Sequence, residues 1–372
     1  MVKKVVILQK YIAPYRIPLF NGIARHPDVE LTLVYYGKPE ARRRWSFFAG
    51  REFSEVQARC VSVNSGYERN MEFPHSLYAD LVRLRPDFVI CAPDMGGIAT
   101  GIYSWKHETR YAIWSEAIPA TEGRVSLWKK KLRQRLYRNA ESFIVPGSLS
   151  ETYIRAFCPT AQFHHAPNTV EEERFSLDRE GVHAKFAGER LIVTFSGSLI
   201  ERKGILLLLE AFIRVLREHP ELRETCQLRV LGTGPLDISD FNDENIEVVG
   251  FCEQDAYAAH LRESHIFVLP SLHDNNPLTV VEGLFAGNVI VVTAGVGNHP
   301  EAVHGNGSVV SSGSADELAQ ALERLVTLPR AELLGMACNS LDIAHDFSVA
   351  RSVDGFLAAI RGNSTECCER AV

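Results

Sequence analysis

Short apolar runs rich in β-branched residues alternate along this chain with stretches of helical periodicity. In the first half, five such runs predict strands, and they begin at Val5, Leu31, Phe88, Tyr111 and Ser142. In the second half the pattern repeats, with runs that begin at Leu191, Gln227, Ile246, Ile266 and Val289. Strands that alternate with helices are typical of βαβ units around a parallel sheet. We therefore expect an α/β protein with two doubly wound domains in series.

A polar interval separates the two series and suggests where the domains divide. Residues 171–190 have no evident apolar period, and we interpret them as a linker. Residues 347–362 have the amphipathic period of a last helix. We expect a first domain over residues 1–170, a second over 171–346, and over 347–372 a C-terminal helix that packs back on the first domain, followed by a tail.

The composition is that of a globular protein. The length of 372 residues suits two domains, and 46% hydrophobic and 23% charged residues are ordinary fractions for such a protein. A net charge of −6 argues against nucleic acid as a partner. The eight cysteines form no C-x-x-C pair, and the apolar run Val5–Leu8 is too short for a signal-peptide core or a membrane span. We expect a cytoplasmic protein.

Ligands of open parallel sheets bind at the carboxyl ends of the strands, and three segments there have suggestive chemistry. In the first, Gly197 and Ser198 follow a strand, while Arg202 and Lys203 precede Gly204 and an amphipathic helix. Two cations beside a helix start suit an anion. A helix start with solvated cations explains this segment equally well.

The second segment is a glycine loop from Gly232 to Pro235. A nicotinamide-binding fingerprint would need a third glycine where Asp237 stands. The loop is therefore either a place where the backbone at Gly234 approaches another group closely, or a simple turn, and a simple turn is the plainer interpretation.

The third segment is "HDNNPLTVVEGLFAG", from His273 to Gly287. Pro277 suits the first position of a helix with Asn276 as its N-cap, so the amides of Leu278 and Thr279 would point outward toward a phosphate.

Two carboxylates eight positions apart belong to the same segment. Glu282 could accept hydrogen bonds from the paired hydroxyls of a ribose, and Asp274 could do the same for a sugar ring. Alternatively, both acids simply favour the positive end of a helix, which for Asp274 alone is the preferred interpretation.

Taken in order, these segments resemble the donor-binding domain of retaining glycosyltransferases of family 4. The resemblance covers most of the second half, and it rests on these stretches: "APNTVEEERF", "GSLIERKG", "LGTGPL", "VVGF", "FVLPS", the segment with the two acids, and "GVGNHPEAVHGNGSVV". It implies the GT-B arrangement, in which two Rossmann-like domains face each other across a cleft. The first domain would bind an acceptor and the second a nucleotide-sugar donor.

The resemblance also implies roles for individual residues. Glu282 would hold the ribose, and Lys203 with Arg202 would neutralise the diphosphate. The remaining donor-binding residues that it implies are Gly197, Ser198, Gly234, Asp274, Asn275, Asn276, Leu278 and Thr279. Stabilising the departing diphosphate is the main electrostatic task, and positioned donors can perform it without a metal. No D-x-D motif occurs, so neither a metal nor another cofactor is expected.

Two positions depart from the family pattern. The first acid of the pair is usually Glu, and here it is the shorter Asp274. The arginine that usually follows the glycine of the diphosphate motif is replaced by Ser198, for which Arg202 could compensate. These departures put donor affinity and activity in question.

The first domain is less familiar than the second. Its first loop has Tyr15 and Arg16 at the start of a predicted helix, and we take both as acceptor or cleft residues. Arg16 could meet an acceptor phosphate or the donor diphosphate, or could be paired on the surface. Glu116 falls about where the family has a histidine, and we take it as a polar group that faces the reacting centre. Asp94 lies in another loop that follows a strand and could touch the acceptor, although a plain turn needs no function.

A basic amphipathic stretch from Ser126 to Asn139 has six cations. It could rest on an anionic membrane, which would suit a lipid-linked acceptor. A solvated helix face is favoured, because Leu132 and Leu136 at a spacing of four already explain a buried stripe.

We therefore predict a retaining, metal-independent glycosyltransferase that moves a sugar from a nucleoside-diphosphate sugar to a glycan or lipid-linked acceptor in polysaccharide or glycoconjugate biosynthesis. Asp274, Lys203 and Glu116 are the catalytic candidates. One alternative is a non-catalytic nucleotide-sugar-binding partner of a transferase, which Ser198 and the unusual first loop motivate. Another is a nucleotide-sugar epimerase of the same fold.

Overall fold

The computed structural model describes residues 2–37, 50–64, 70–121 and 127–362. The expected tail, residues 363–372, and the first residue of the basic stretch, Ser126, lie outside these described residues.

The first half forms a parallel sheet. Its seven described strands follow the order β3-β2-β1-β6-β7-β8-β9 across the sheet, and β4 and β5 pair separately as an antiparallel ribbon. The strands are β1 (Lys3–Gln9), β2 (Val29–Tyr35), β3 (Ser54–Gln57), β4 (Val61–Asn64), β5 (Asn70–Phe73), β6 (Phe88–Cys91), β7 (Arg110–Trp114), β8 (Ser142–Val145) and β9 (Phe163–His165). The helices are α1 (Ile17–Ala24), α2 (Leu77–Leu84), α3 (Met95–His107), α4 (Leu127–Arg138) and α5 (Ser148–Arg155), with a short 3-10 helix at Pro14–Arg16.

The second half forms another parallel sheet. Its six described strands follow the order β12-β11-β10-β13-β14-β15. They are β10 (Leu191–Ser196), β11 (Cys226–Leu231), β12 (Ile246–Gly250), β13 (Ile266–Leu269), β14 (Val289–Thr293) and β15 (Gly307–Val310). The helices are α6 (Glu172–Phe175), α7 (Arg179–Phe186), α8 (Ile205–Glu218), α9 (Leu222–Thr225), α10 (Gln254–Glu263), α11 (Leu278–Phe285), α12 (His299–Ala302), α13 (Ala315–Val326), α14 (Arg330–Ala344) and α15 (Val349–Arg361), with 3-10 helices at Glu201–Lys203, Ser239–Phe241 and His345–Phe347.

The apolar runs form strands because both faces of each sheet are covered by helices. In β1, Val5 and Ile7 belong to the core on one face, whereas Val6 and Leu8 belong to the core on the other. A strand buried on both faces has a continuous apolar run rather than an alternating one. This is why the ten predicted strands could be recognised, and all ten are confirmed.

The strand order creates a topological switch point in each sheet. In the first sheet, the chain leaves β1 toward β2 on one side and returns through β6 on the other. In the second sheet, β10 lies in the same way between β11 and β13. The loops that follow the two central strands therefore diverge and leave a crevice, which is where ligands of such sheets bind.

The expectation of a linker over residues 171–190 is wrong. This interval contains α6 and α7, whose buried residues Phe175, Val182 and Phe186 belong to the core of the second sheet. Lys185 on α7 donates to the carbonyls of Ala286 and Gly287 at 2.7 and 3.0 Å, just beyond the end of α11. Three widely spaced apolar positions are enough to anchor these helices, although they show no obvious period among charged neighbours.

The amphipathic stretch near the C-terminus forms α15, which lies against the first sheet rather than the second. Its Phe356 packs edge-on against Trp114 at 4.8 Å between ring centroids. Gly355 lets the helix approach the carbonyl of His165, because an added Cβ would lie 2.2 Å from that oxygen. No helix in the described ranges is long and apolar enough to cross a membrane.

Candidate active site

The loop after β10 has a geometry that only glycine permits at its end. Gly204 has φ of +70° and is the N-cap of α8, and a Cβ there would lie 2.0 Å from the carbonyl oxygen of Pro270. The loops after β10 and β13, the two switch-point strands, are thereby held together. Leu272 reinforces the contact by donating its backbone N–H to the carbonyl of Arg202 at 2.8 Å.

The Gly232–Pro235 loop packs against the loop that follows β10. A Cβ at Gly232 would lie 2.0 Å from the carbonyl of Gly197, and one at Gly234 would lie 2.3 Å from that of Leu199. Of the two interpretations left open by the sequence, the close backbone approach is the observed one. The glycines pack against the loop that contains Ser198 and so fix its path.

The cations of the first segment are paired with protein groups rather than left to solvent alone. Lys203 donates to Oδ2 of Asp274 at 2.5 Å, and its side chain is only 14% exposed. Arg202 lies 3.5 Å from the same oxygen and donates to the carbonyl of His273 at 3.2 Å. The two predicted diphosphate-binding cations and the predicted sugar-binding acid therefore form one cluster, in which Asp274 balances part of the positive charge.

Helix α11 begins one residue later than predicted. The structure has Pro277, in extended conformation, as the N-cap, and the helix starts at Leu278. The prediction of Asn276 as N-cap is therefore wrong, because its side-chain oxygen instead accepts a hydrogen bond from Asn168 at 3.2 Å. The amides of Leu278 and Thr279 are nevertheless those of the first turn, where N–H groups lack partners within the helix.

Buried polar atoms without hydrogen-bond partners in the described residues surround this helix start. They are Oδ1 of Asn275, Oγ1 of Thr279 and Oδ1 of Asn298. Buried polar groups in native proteins are nearly always hydrogen-bonded, so each such atom needs an explanation. A polar ligand at the start of α11 would supply the missing partners.

Glu282 is held by Tyr257, which Ser196 contacts in turn, and the sequence did not point to either residue. Tyr257 on α10 donates to Oε2 of Glu282 at 2.6 Å, and Ser196 donates to the Tyr257 oxygen at 3.1 Å. Burial raises the pKa of Glu282 to about 7, and the nearby charge of Glu171 acts in the same direction, while the Tyr257 hydrogen bond opposes them. Burial and the Glu282 carboxylate raise the pKa of Tyr257 well above its usual value, so Tyr257 is the proton donor of the pair.

At the switch point of the first sheet lies a cavity of about 310 Å³. The four residues predicted to face the acceptor or the cleft all line it, namely Tyr15, Arg16, Asp94 and Glu116. Asn275, in the loop between β13 and α11, lines it as well, so the cavity connects the two halves of the cleft. A larger cavity, of about 690 Å³, lies between α1 and residues 170–174, and its described lining includes none of the predicted site residues.

Arg16 and Glu116 are partners. Arg16 donates to Oε1 of Glu116 at 3.0 Å and to Oε1 of Gln9 at 2.5 Å. Its guanidinium also stacks on Trp114, 4.5 Å from the ring centroid. Arg16 is therefore fixed inside the cavity rather than paired on the open surface.

Asp94 is likewise fixed, by a partner that sequence spacing could not reveal. It accepts a hydrogen bond from the buried hydroxyl of Tyr36 on one oxygen, and on the other from the N–H of Gly96 at 2.8 Å, which makes it the N-cap of α3. Burial and the charge of Asp94 raise the pKa of Tyr36 well above its usual value. The described residues contain no group of three or more His, Cys, Asp or Glu side chains placed to hold a metal ion.

The fold is that of GT-B proteins. The Anabaena protein HepE, solved in complex with UDP and glucose, superposes with a TM-score of 0.70 over 97% of this chain and 100% of its own, at 14% identity. Sucrose-phosphate synthase from Thermosynechococcus elongatus superposes with a TM-score of 0.73 over 96% of this chain and 98% of its own, also at 14% identity.

Sequence comparison finds similarity in the second half of the chain. Residues 190–327 match the family model described as glycosyl transferases group 1. D-inositol 3-phosphate glycosyltransferase of Thermobifida fusca is 29% identical over 194 residues, which are 48% of this chain and 44% of that protein. Amylovoran biosynthesis glycosyltransferase AmsK of Erwinia amylovora is 28% identical over 213 residues, 53% of this chain and 50% of its own. The chain thus spans about half the length of the curated relatives it matches.

Proposed function

We propose that this protein is a retaining glycosyltransferase that moves a sugar from a nucleoside-diphosphate sugar to a glycan or lipid-linked acceptor. The observation that supports it most is the convergence of three elements at the β10/β13 switch point. These are a cation cluster, a helix start surrounded by unpartnered polar atoms, and the buried carboxylate of Glu282. In chemistry these three elements suit, respectively, the diphosphate, the sugar and the ribose of a nucleotide-sugar.

The donor would lie with its diphosphate between the cation cluster and the start of α11. Lys203 and Arg202 would share their charge between Asp274 and the phosphate oxygens, and the amides of Leu278 and Thr279 would donate to them. Glu282 would accept from the ribose hydroxyls through the lone pairs that Tyr257 leaves open. Asn275 and Thr279, whose buried oxygens lack partners in the described residues, would meet sugar hydroxyls.

In the transfer, the bond between the sugar C1 and the β-phosphate oxygen breaks and a bond forms from C1 to an acceptor hydroxyl oxygen. The proton of that hydroxyl goes to the departing diphosphate, and the overall anomeric configuration is kept. The cation cluster and the helix start stabilise the charge that develops on the diphosphate, so we propose that no bound metal is needed. Glu116 and Arg16 would face the reacting centre from the first domain, as would Asp94.

The proposal predicts turnover in the absence of divalent ions. The protein is incubated with UDP-, GDP-, ADP- and dTDP-sugars and a panel of glycan acceptors in the presence of a chelator, and free nucleoside diphosphate and product are measured. The anomeric configuration of the product is read by NMR. A partner protein without activity would bind a donor but release no product. An epimerase would convert the donor into an isomeric nucleotide-sugar without an acceptor.

A surface of the first domain supports a peripheral contact with an anionic membrane. The expected buried stripe on α4 is only partly present: Leu136 is buried, whereas Leu132 is 38% exposed. On α3, Trp105 is 81% exposed and Ile102 is 52% exposed, and Leu136 packs against this helix beside Gly101. Exposed cations accompany these apolar side chains on α4: Lys131, Arg135 and Arg138.

A membrane contact of this kind combines apolar insertion with attraction to anionic lipid. The protein should therefore sediment with vesicles of phosphatidylcholine and phosphatidylglycerol but not with vesicles of phosphatidylcholine alone. Trp105→Ala should weaken this sedimentation. Equal sedimentation with both kinds of vesicle, or none with either, would contradict the contact.

A further inference from the structure

A carboxylate of the second domain caps a helix of the first. Glu301 lies on α12, which follows β14 in the second sheet. Its Oε1 accepts a hydrogen bond from the backbone N–H of Ser148 at 2.6 Å. Ser148 is the first residue of α5, in the first domain. The contact therefore bridges the two domains, between residues 153 positions apart.

Helix α5 has no cap of its own. Its N-cap residue is Gly147, which has no side chain to accept from the first turn. The first N–H groups of a helix lack partners within the helix and favour a negative charge beside them. Glu301 satisfies one of these donors from across the cleft.

Gly147 leaves space for the Glu301 carboxylate and does not supply a special backbone conformation. Its φ of −175° is open to any residue. A Cβ, however, would lie 2.7 to 2.9 Å from the carboxylate oxygens and carbon of Glu301. Any side chain at this position would push the carboxylate away from the helix start.

The element that carries Glu301 is tied to the donor loop. Asp274 donates its N–H to the carbonyl of Gly295 at 2.9 Å, and Gly297 donates to the carbonyl of Asp274 at 2.8 Å. A Cβ at Gly297 would lie 1.7 Å from the carbonyl of Asn275, so the two loops are in direct contact. A movement of α12 would therefore be passed to the residues that the proposed donor site uses.

We propose that Glu301 is a positioning residue that holds the two domains closed by capping α5 and thereby sets Asn275 against the cavity of the first domain. Its catalytic consequence rests on the proposed function, whereas the contact itself does not. Only one carboxylate oxygen is used, and Oε2 is buried without a partner in the described residues. That uncompensated burial opposes closure, so the contact can open for donor entry and product release.

Hydrogen exchange at the Ser148 amide tests the contact in the ligand-free protein. The protection factor of this amide should fall at least tenfold in Glu301→Ala and in Gly147→Ala. Glu301→Gln keeps an acceptor oxygen and should retain part of the protection. Ser148→Ala keeps the N–H and should leave its protection factor within twofold of the parent value. Unchanged protection in Glu301→Ala would overturn the contact.

Steady-state kinetics test the positioning role. In Glu301→Ala, kcat for transfer should fall at least tenfold while the affinity for the nucleoside diphosphate stays within twofold, because the cation cluster and Glu282 are intact. Glu301→Gln should recover part of kcat. An unchanged kcat would overturn the positioning role even if the exchange result holds. Absence of any turnover by the parent protein would contradict the proposed function instead, and the exchange measurement would still decide whether the contact exists.

Discussion

The phenol of Tyr257 donates a hydrogen bond to Oε2 of Glu282 at 2.6 Å, in a site where burial raises the pKa of this carboxyl to about 7. The phenol fixes one oxygen and leaves the other for a ligand. The ionised carboxylate accepts from the ribose hydroxyls with both oxygens, whereas protonation turns one oxygen into a donor and weakens the acceptor. The proposed recognition of the donor is therefore linked to the protonation of Glu282.

Donor affinity should rise with pH. With a pKa of about 7, the ionised fraction of Glu282 increases about tenfold between pH 6 and pH 8, and the affinity should increase by about the same factor. A nucleotide-sugar is the suitable ligand, because its diphosphate has no proton that titrates in this range. Calorimetric titration at several pH values measures the effect. In Glu282→Gln the dependence should be flat, and a flat profile in the parent protein would contradict the assignment.

The raised pKa of Glu282 also lowers the stability of the folded protein. The folded state binds the Glu282 proton more tightly than the unfolded state, whose pKa is near 4.5. The free energy of unfolding is therefore reduced as pH rises from about 4.5 through about 7. Glu282→Gln removes this loss and should stabilise the ligand-free protein at pH 8 by on the order of 1–3 kcal/mol, with a smaller gain at pH 5. Denaturant unfolding at the two pH values measures the difference in the free energy of unfolding. If Glu282→Gln were no more stable than the parent protein at pH 8, the raised pKa of Glu282 would be contradicted.

Tyr257→Phe removes the hydroxyl group and keeps the aromatic ring. The hydrogen bond lowers the pKa of Glu282, so its removal should raise that pKa further and move the midpoint of the affinity profile to higher pH. The Phe ring preserves the packing, which includes an edge-on contact with Phe175 at 5.8 Å between centroids. A midpoint that stays in place or moves to lower pH would show that Tyr257 does not act on Glu282.

We expect substitutions of Lys203 and of its partner Asp274 to have different effects on binding of the diphosphate. Lys203→Ala should weaken binding of the nucleoside diphosphate by on the order of 1–3 kcal/mol, because a charged hydrogen bond is lost. Asp274→Asn releases the cations from their partner, so the diphosphate should bind equally well or more tightly while transfer falls. Calorimetry and a transfer assay measure the two quantities. Weaker diphosphate binding in Asp274→Asn, or full transfer, would remove Asp274 from its proposed role.

Gly204 is predicted to be intolerant of a side chain. Gly204→Ala would combine a left-handed backbone with a Cβ 2.0 Å from the carbonyl of Pro270. It should lower the free energy of unfolding by on the order of 2 kcal/mol or more. Gly335 provides a matched control, because it lies within α14 and a Cβ there meets nothing within 4 Å. Gly335→Ala should leave stability unchanged or raise it. Equal melting temperatures for the two variants would contradict the strain at Gly204.

The fold could largely be predicted because buried parallel strands are continuous apolar runs. The strands that were missed lie at the edges of the described sheets or pair outside them. One is β15, which begins at Gly307 and leaves Val309 40% exposed, so no apolar run marks it. The interval with α6 and α7 was misjudged because only a few positions of each short helix face the core. Partial burial weakens the apolar period on which such predictions depend.

The site was predictable where one short segment holds its residues, and not where packing brings distant residues together. Asp274 and Glu282 belong to one motif, whereas Tyr257 lies 25 residues from Glu282 on another helix. Tyr36 reaches Asp94 across 58 residues, and Glu301 reaches Ser148 across 153. No spacing rule connects such partners, because the strand order sets their distance.

The most direct test of the central claim is a thermal-shift panel of UDP, GDP, ADP and dTDP with their common sugars, in the presence of a chelator. We expect one nucleotide to raise the melting temperature of the parent protein but not that of Glu282→Ala. Glu332→Ala, which changes an exposed carboxylate on α14 of the same domain, should keep the full shift. No shift with any nucleotide, or an undiminished shift in Glu282→Ala, would contradict the donor site described above.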